Sequence, residues 1–544
     1  MKPLSKIVLC LSMLAVFRWL TFAASASSAA QPAAAVDATW HYHVPVERAD
    51  RGGKRLEPGK ALLWLPPGCD TVRGLLILGR LGIEGELIVD PAIRRACADG
   101  DLGIIYFDPH ISGVFHYWEA GNTDAARWLK ALDDLAKRSG HAEVARVPWI
   151  TAGHSTAGIF ARNVAYWKPD RVAGVVHIKS GNFHQKEHLP PESSLAGVPL
   201  MAINGQFETF GPEGGLRPEF GRETQWVFAQ RDLQKLRAKN PENLMSMLVH
   251  PGDDHFHGAP ELGACVAAWL RATARHRLPA KLPPGSGPVA CLKLSAEEGW
   301  LTDPDLYAPQ HAPGPYADYA GDKTAALWHY DRETAEAAAA FHKNLGQHQA
   351  LETPTCSWLD AGDGWTFRVE SKFLDAMPEK FGGRVVGQKI GHSPKPFVYR
   401  CKANEPVEQI GRDTFRVLRP VKTVNVAAFH AGDENYRATV RWGSLSVPNV
   451  KGETQTIDFP VVTSLKRGAT VGLRAKATLS LPIHYEVDYG PVVVRDGKLH
   501  LAALPARPQF PIECRVTAYQ IGRRVAPAIQ PAPPVSQVFQ IVGP

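Results

Sequence analysis

The 544-residue sequence predicts an α/β domain with a doubly wound, mostly parallel sheet, followed by β-sandwich modules. Three observations carry that expectation. Short, uniformly apolar runs recur between residues 37 and 280, as in strands buried on both faces of a parallel sheet. Helical stretches separate the runs, which is the pattern of a layered α/β domain. From Cys356 onward the apolar period drops to two, the signature of half-buried antiparallel strands.

Ahead of the sheet lies a leader. Lys2 and Lys6 give a positive start, residues 7–17 an apolar core, and Ala24-Ser25-Ala26 a small-residue cleavage site. This predicts a signal peptide over 1–26 and a secreted or periplasmic protein. The apolar run is too short to span a bilayer. An Ala/Pro-rich lead-in follows at 31–36.

The expected strands occupy 61–65, 74–78, 103–107, 147–152, 172–178, 198–203 and 244–249. Helices are expected at 123–139, 223–239 and 259–275. The first of these carries Ala126, Leu129, Leu132 and Leu135 as an apolar stripe and stops at Gly140. A Pro/Gly-rich stretch at 277–288 marks a boundary. A connector at 281–355 then holds one alanine-rich helix, 331–345, with Asp331 at its start and Gly346 past its end. Alternation at 365–370, 436–442 and 473–481, and an Asp496-Gly497 hairpin turn inside 492–501, predict two β modules over 356–450 and 451–544.

Composition excludes several classes. Apolar residues make up 44% and charged residues 21%, ordinary globular values. The net charge of +7 includes Lys2, Lys6 and Arg18 of the leader, and no dense basic run exists, so nucleic acid is not an expected partner. Of eight cysteines, Cys10 lies in the leader. The other seven are scattered without CxxC spacing, which argues against a disulfide framework or a zinc knuckle. An oxidising compartment still permits one or two bridges. There is no GxGxxG-plus-acid fingerprint and no P-loop, so no cofactor is expected. His184 and His188 stand at i, i+4 without an HExxH context, so no metal is expected either.

The chemistry concentrates at Gly153-His-Ser-Thr-Ala157. A strand, a tight turn with a central serine and a helix in succession make the context of a nucleophile elbow. The turn demands small residues two places before and after the serine, and Gly153 and Ala157 meet it, with Gly158 one place later. A serine nucleophile needs a base and the base needs an orienting acid. Asn204-Gly-Gln-Phe-Glu208 follows one strand, and His250-Pro-Gly-Asp-Asp-His-Phe-His257 follows another. Groups at the strand ends of a parallel sheet converge.

These three motifs, in this order, resemble those of the α/β-hydrolase superfamily over residues 58–275. The resemblance implies Ser155 as nucleophile, His255 as base and then acid, and Glu208 as the residue that fixes the imidazole. His257 and Glu213 are the rivals to the latter two. Asp253 and Asp254 flank the histidine too closely to orient it and suit a loop-stabilising or rim role. The oxyanion hole is expected from the backbone N–H groups of Thr156, after the nucleophile, and Arg80, in the 78–82 loop. The family's His-Gly pair is absent from that loop. The loops 109–118 and 180–188, rich in aromatic residues and histidine, are candidates to shape the pocket.

The last module resembles a bacterial immunoglobulin-like repeat over 453–543, on Gln455-Thr-Ile-Asp-Phe-Pro460, Leu481-Pro-Ile-His-Tyr485 and residues 534–542. Such repeats are spacers or adhesion modules. The expected activity is hydrolysis of a small-molecule or polysaccharide-linked carboxylic ester, with cell-surface or glycan contact through the C-terminal modules. A peptidase or amidase on the same triad, or a non-catalytic polysaccharide-binding protein, are the competing readings.

Overall fold

The computed structural model describes residues 39–50, 54–180, 189–206, 208, 225–253, 255–256, 260–343, 345–348, 350–378, 385–401 and 405–543. The leader lies outside them, as do Glu213, Asp254, His257 and the His184/His188 pair.

Eight strands build the main sheet: β1 (Tyr42–Ala49), β2 (Arg55–Trp64), β3 (Gly74–Gly79), β4 (Leu102–Asp108), β5 (Trp149–His154), β6 (Val172–Ile178), β7 (Leu200–Gly205) and β8 (Met245–His250). Their spatial order is β1-β2-β4-β3-β5-β6-β7-β8. The pairs from β4 through β8 are parallel, while β1 with β2 and β2 with β4 are antiparallel. The expected runs are all present and buried along their length, for the reason expected: helices cover both faces. β1 escapes the sequence pattern because Pro45 and its charged neighbours interrupt the apolar run. Its place at the sheet edge is what tolerates a proline.

The helices are α1 (Glu84–Leu87), α2 (Pro91–Asp99), α3 (Asp124–Ser139), α4 (Thr156–Trp167), α5 (Gln225–Lys239), α6 (Pro260–Arg277) and α7 (Arg332–His342). α1 and α2 were not expected. α2 has strong local signals, Asp90 capping the N–H groups of Ala92 and Ile93 and Pro91 at its first turn. Trp128, Trp149, Phe107 and Phe160 pack on one face of the sheet. On the other face α6 comes so close that a Cβ at Gly174 would lie 2.4 Å from the Trp269 ring.

The connector does more than join. Helix α7 covers the β8 edge, where the Val249 N–H donates to His342 Nε2 at 2.9 Å and satisfies an edge strand that would otherwise be open. Beyond it, two small antiparallel sheets spanning 352–446 share an apolar core of Trp365, Phe367, Phe415, Val424 and Val426. The final region is mostly antiparallel, with Ile512–Gln520 and Ala532–Val542 as its long pair and Leu465–Lys466 joining the latter in parallel. The hairpin turn forms at Asp496 and Gly497, both at positive φ (50° and 66°), as a two-residue turn requires. The alternation at 473–481, however, does not give one strand. Only Lys476–Ala477 pairs there, because Leu473 turns to donate to the Gly497 carbonyl instead. Ile457, Val516 and Phe539 of this region belong to the same continuous core as the main sheet.

Candidate active site

The elbow is built from steric necessity. Ser155 sits between β5 and α4 at φ 56°, ψ −127°, a conformation that costs a non-glycine residue about 1–3 kcal/mol. Its own N–H donates to the Ile178 carbonyl at 2.9 Å and locks the turn onto β6. A Cβ on Gly153 would fall 2.1 Å from the Ala157 carbonyl oxygen, and one on Gly158 would fall 1.8 Å from Ser180 Oγ. Ala157 is buried without conflict. The second glycine requirement therefore falls on Gly158, one residue later than the usual spacing. Ser155 and Thr156 stay partly exposed, and as the first residue of α4 Thr156 has no intrahelical acceptor for its N–H.

Glu208 and His255 come together as expected. His255 Nδ1 lies 2.8 Å from Glu208 Oε1, and the carboxylate is fully buried. Its other oxygen accepts from Asn204 Nδ2 at 3.1 Å and from the Gly205 N–H at 3.2 Å, so the turn after β7 holds the acid in place. With Nδ1–H donated to the carboxylate, a neutral His255 carries its lone pair on Nε2, the nitrogen a general base uses. The histidine loop meets the elbow through His154, immediately before the serine. His154 Nε2 donates to the His255 carbonyl at 2.6 Å, and the two rings lie 4.7 Å apart.

The opposite wall corrects one expectation. The Arg80 N–H donates to the Phe107 carbonyl at 2.8 Å, extending the β3–β4 ladder, so it is committed within the sheet and is no oxyanion donor. The Arg80 side chain pairs with Asp108 at 2.6 Å. In the loop after β3 a buried carboxylate organises the backbone. Glu84 Oε2 accepts from the N–H groups of Gly82 (2.6 Å) and Leu81 (3.3 Å), and Oε1 accepts from the His154 N–H at 2.7 Å. One side chain thus ties the loop after β3 to the residue before Ser155. Burial pushes the Glu84 carboxyl up from its ordinary range, against the pull of those N–H groups. Gly82 packs on the His154 ring, where a Cβ would lie 2.0 Å from Nδ1. Sequence reasoning passed over Glu84. Its signal was an acid set among apolar neighbours just beyond a glycine turn.

Two further supports were also missed. Lys179 Nζ pairs with Asp253 Oδ2 at 2.6 Å, both side chains fully buried, and His250 Nδ1 binds the same oxygen. Asp253 is therefore a loop-stabilising residue and not a rim charge. Gln206 accepts from the Gly252 N–H at 2.9 Å and donates to the Leu345 carbonyl at 3.1 Å, joining the histidine loop to the connector. Against Gly252 lies the 356–450 region, where a Cβ would meet the Ala438 carbonyl oxygen at 2.3 Å.

Of the two candidate pocket loops, 109–118 is largely structural. Phe115 is in the core, and His110, half-buried against Gly79 and Phe160, is pushed down to about 4 by the loss of solvent. The other loop, from 181, lies outside the described residues. Among the described residues no cluster of His, Cys, Asp or Glu could hold a metal, all seven cysteines are unbridged, and no helix is long and apolar enough to cross a membrane.

No protein-family model matches the sequence, and no curated protein matches it. Solved structures do overlap its N-terminal part. The 2,6-dihydroxy-pseudo-oxynicotine hydrolase matches 43% of this chain and 68% of its own at 16% identity, with a TM-score of 0.27. The esterase domain of a Rhodothermus marinus protein matches 43% and 97% at 17% identity and 0.26. A poly(3-hydroxybutyrate) depolymerase from Bordetella parapertussis matches 44% and 87% at 15% identity and 0.28. In its strand order, mostly parallel sheet and serine elbow, the N-terminal part of this chain resembles an α/β-hydrolase domain.

Proposed function

We propose that the protein is an exported serine hydrolase that cleaves carboxylic esters through Ser155, His255 and Glu208. The observation that carries this reading is the buried 2.8 Å bond between Glu208 and His255, in a loop bonded to the residue preceding a positive-φ serine. An acid, an imidazole and a strained serine at three strand ends have no structural need of one another. Together they make a nucleophile with its base.

In this mechanism Ser155 Oγ attacks the ester carbonyl while its proton passes to His255 Nε2. Glu208 stabilises the imidazolium without taking the proton. The developing oxyanion meets the Thr156 N–H at the start of α4, where the helix end also favours negative charge. Collapse of the tetrahedral intermediate breaks the ester C–O bond. The alcohol leaves with the proton from His255, and Ser155 remains acylated. Water then attacks the acyl carbon, gives its proton to His255, and the acid departs as Ser155 Oγ recovers that proton.

The test is the Ser155→Ala variant. It should lose turnover of p-nitrophenyl acetate and labelling by a fluorophosphonate probe while keeping the wild-type circular dichroism spectrum. Retained turnover in the folded variant would reject the mechanism.

A further inference from the structure

A polar cleft of about 550 Å³ lies where three regions of the chain meet. The N-terminal part contributes Trp40, just ahead of β1, with Tyr106 and Asp108 of β4. The 356–450 region adds Glu405 and Arg419, and the last region adds residues 486–490. The volume falls in the range of small-ligand sites, which run from about 300 to 1,000 Å³. Trp40 and Tyr106 stack in nearly parallel planes, 5.8 Å between centroids. The Tyr106 hydroxyl, on a residue only 5% exposed, has no hydrogen-bond partner among the described residues. A buried hydroxyl left without a partner costs about 1–3 kcal/mol. Such a group beside a cavity calls for something to fill it.

The charges around the cleft are fixed in advance. Asp108 pairs with Arg80 at 2.6 Å, Glu486 with Arg419 at 2.8 Å, and Asp488 accepts from Thr517 Oγ1 at 2.6 Å. Glu405 is held by Asn425 Nδ2 at 3.0 Å. Asp488 also pairs with Arg515 at 3.3 Å, so four carboxylates meet three guanidiniums and the lining offers no surplus cation to hold an anion. The pairing leaves spare lone pairs and N–H groups as oriented hydrogen-bonding positions beside aromatic rings. A neutral ligand with many hydroxyls and an apolar ring face matches that lining.

We propose that this cleft binds a neutral oligosaccharide. The cleft and the elbow share one loop: Arg80 lines the cleft, and Gly82, two residues on, packs on His154 next to Ser155. Resting on the ester-hydrolase reading, this makes the substrate an acylated carbohydrate whose sugar lies in the cleft while its ester reaches the serine. The binding itself does not depend on that reading.

Calorimetric titration of the full-length Ser155→Ala protein with xylotetraose, cellotetraose and chitotetraose tests it. At least one should bind, and Tyr106→Phe should weaken that binding about tenfold, the loss of one hydrogen bond. Tyr106→Phe removes a single unpaired hydroxyl, so the fold should hold and, with Ser155 restored, p-nitrophenyl acetate turnover should be unchanged. Asp108→Asn gives an independent variant with the same expectation for binding. Absence of binding by all three oligosaccharides, or wild-type affinity in both variants, would overturn the proposal even if ester turnover is intact. Binding without ester turnover would uphold the cleft and reject only the esterase reading.

Discussion

Replacing Glu84 by glutamine tests whether the wall opposite Ser155 is held by one side chain. The carboxylate accepts three backbone N–H groups, at 2.6, 2.7 and 3.3 Å, with one oxygen facing the loop and the other facing the elbow. Glutamine keeps a single acceptor. Its NH2 must then face either the His154 N–H or the Leu81/Gly82 pair, donor against donor. One charge-assisted arm is lost, about 1.5–3 kcal/mol, while relief of the buried charge offsets part of that in the folding balance. Stability should therefore fall only modestly. The rate should fall more, because the wall moves away from the elbow. A misplacement of about 1 Å in the site can cost about a hundredfold in rate. Steady-state kinetics on p-nitrophenyl acetate should show kcat reduced by about two orders of magnitude with KM within a few-fold, and fluorophosphonate labelling should slow in parallel. A folded Glu84→Gln protein with kcat within twofold of wild type would refute the positioning role.

Other perturbations follow from the same geometry. Lys179→Met leaves Asp253 buried with His250, and breaking such a pair costs about 3–5 kcal/mol. Urea unfolding should show that loss, and a double variant that also removes the Asp253 charge should lose less than the sum of the two singles. Gly158→Ala drives a methyl into Ser180 Oγ and the Gly153 carbonyl. It should lower both Tm and turnover, whereas Ala157→Gly should spare turnover. Burial pushes Glu352, bonded to Thr439 beside the histidine loop, up to about 7. The folded state thus holds this proton more tightly than the unfolded chain. The associated stability is complete below about pH 4.5 and is lost as pH rises through 7, amounting to about 3 kcal/mol. The urea midpoint of Glu352→Gln should lack this decline, and an unchanged pH profile in that variant would count against the assignment.

The readable features share one property, that the forces behind them act over a few residues. Uniform apolar runs mark strands buried on both faces. The Gly153–Gly158 stretch can serve only a turn that excludes side chains, and an acid and a histidine after later strands follow from sheet topology. The place of Ser155 in the turn and the meeting of Glu208 with His255 were legible on those grounds. The misses share the opposite property. β1 is a strand only because a neighbouring strand accepts it at the sheet edge. Residues 473–481 alternate correctly, yet their partners lie elsewhere in the chain.

The sequence by itself determined the class of the N-terminal sheet, the elbow and the order of Ser155, Glu208 and His255 along the chain, since each is written in local pattern. Only the tertiary structure decided which backbone N–H groups stay available. Arg80 donates its own to Phe107, and Leu81, Gly82 and His154 give theirs to Glu84. Hydrogen-bond partners are chosen by proximity in space, at ranges of 2.6–3.3 Å that no spacing in the chain encodes. The joining of Lys179 to Asp253, 74 residues apart, and the cleft between three regions of the chain are of the same kind.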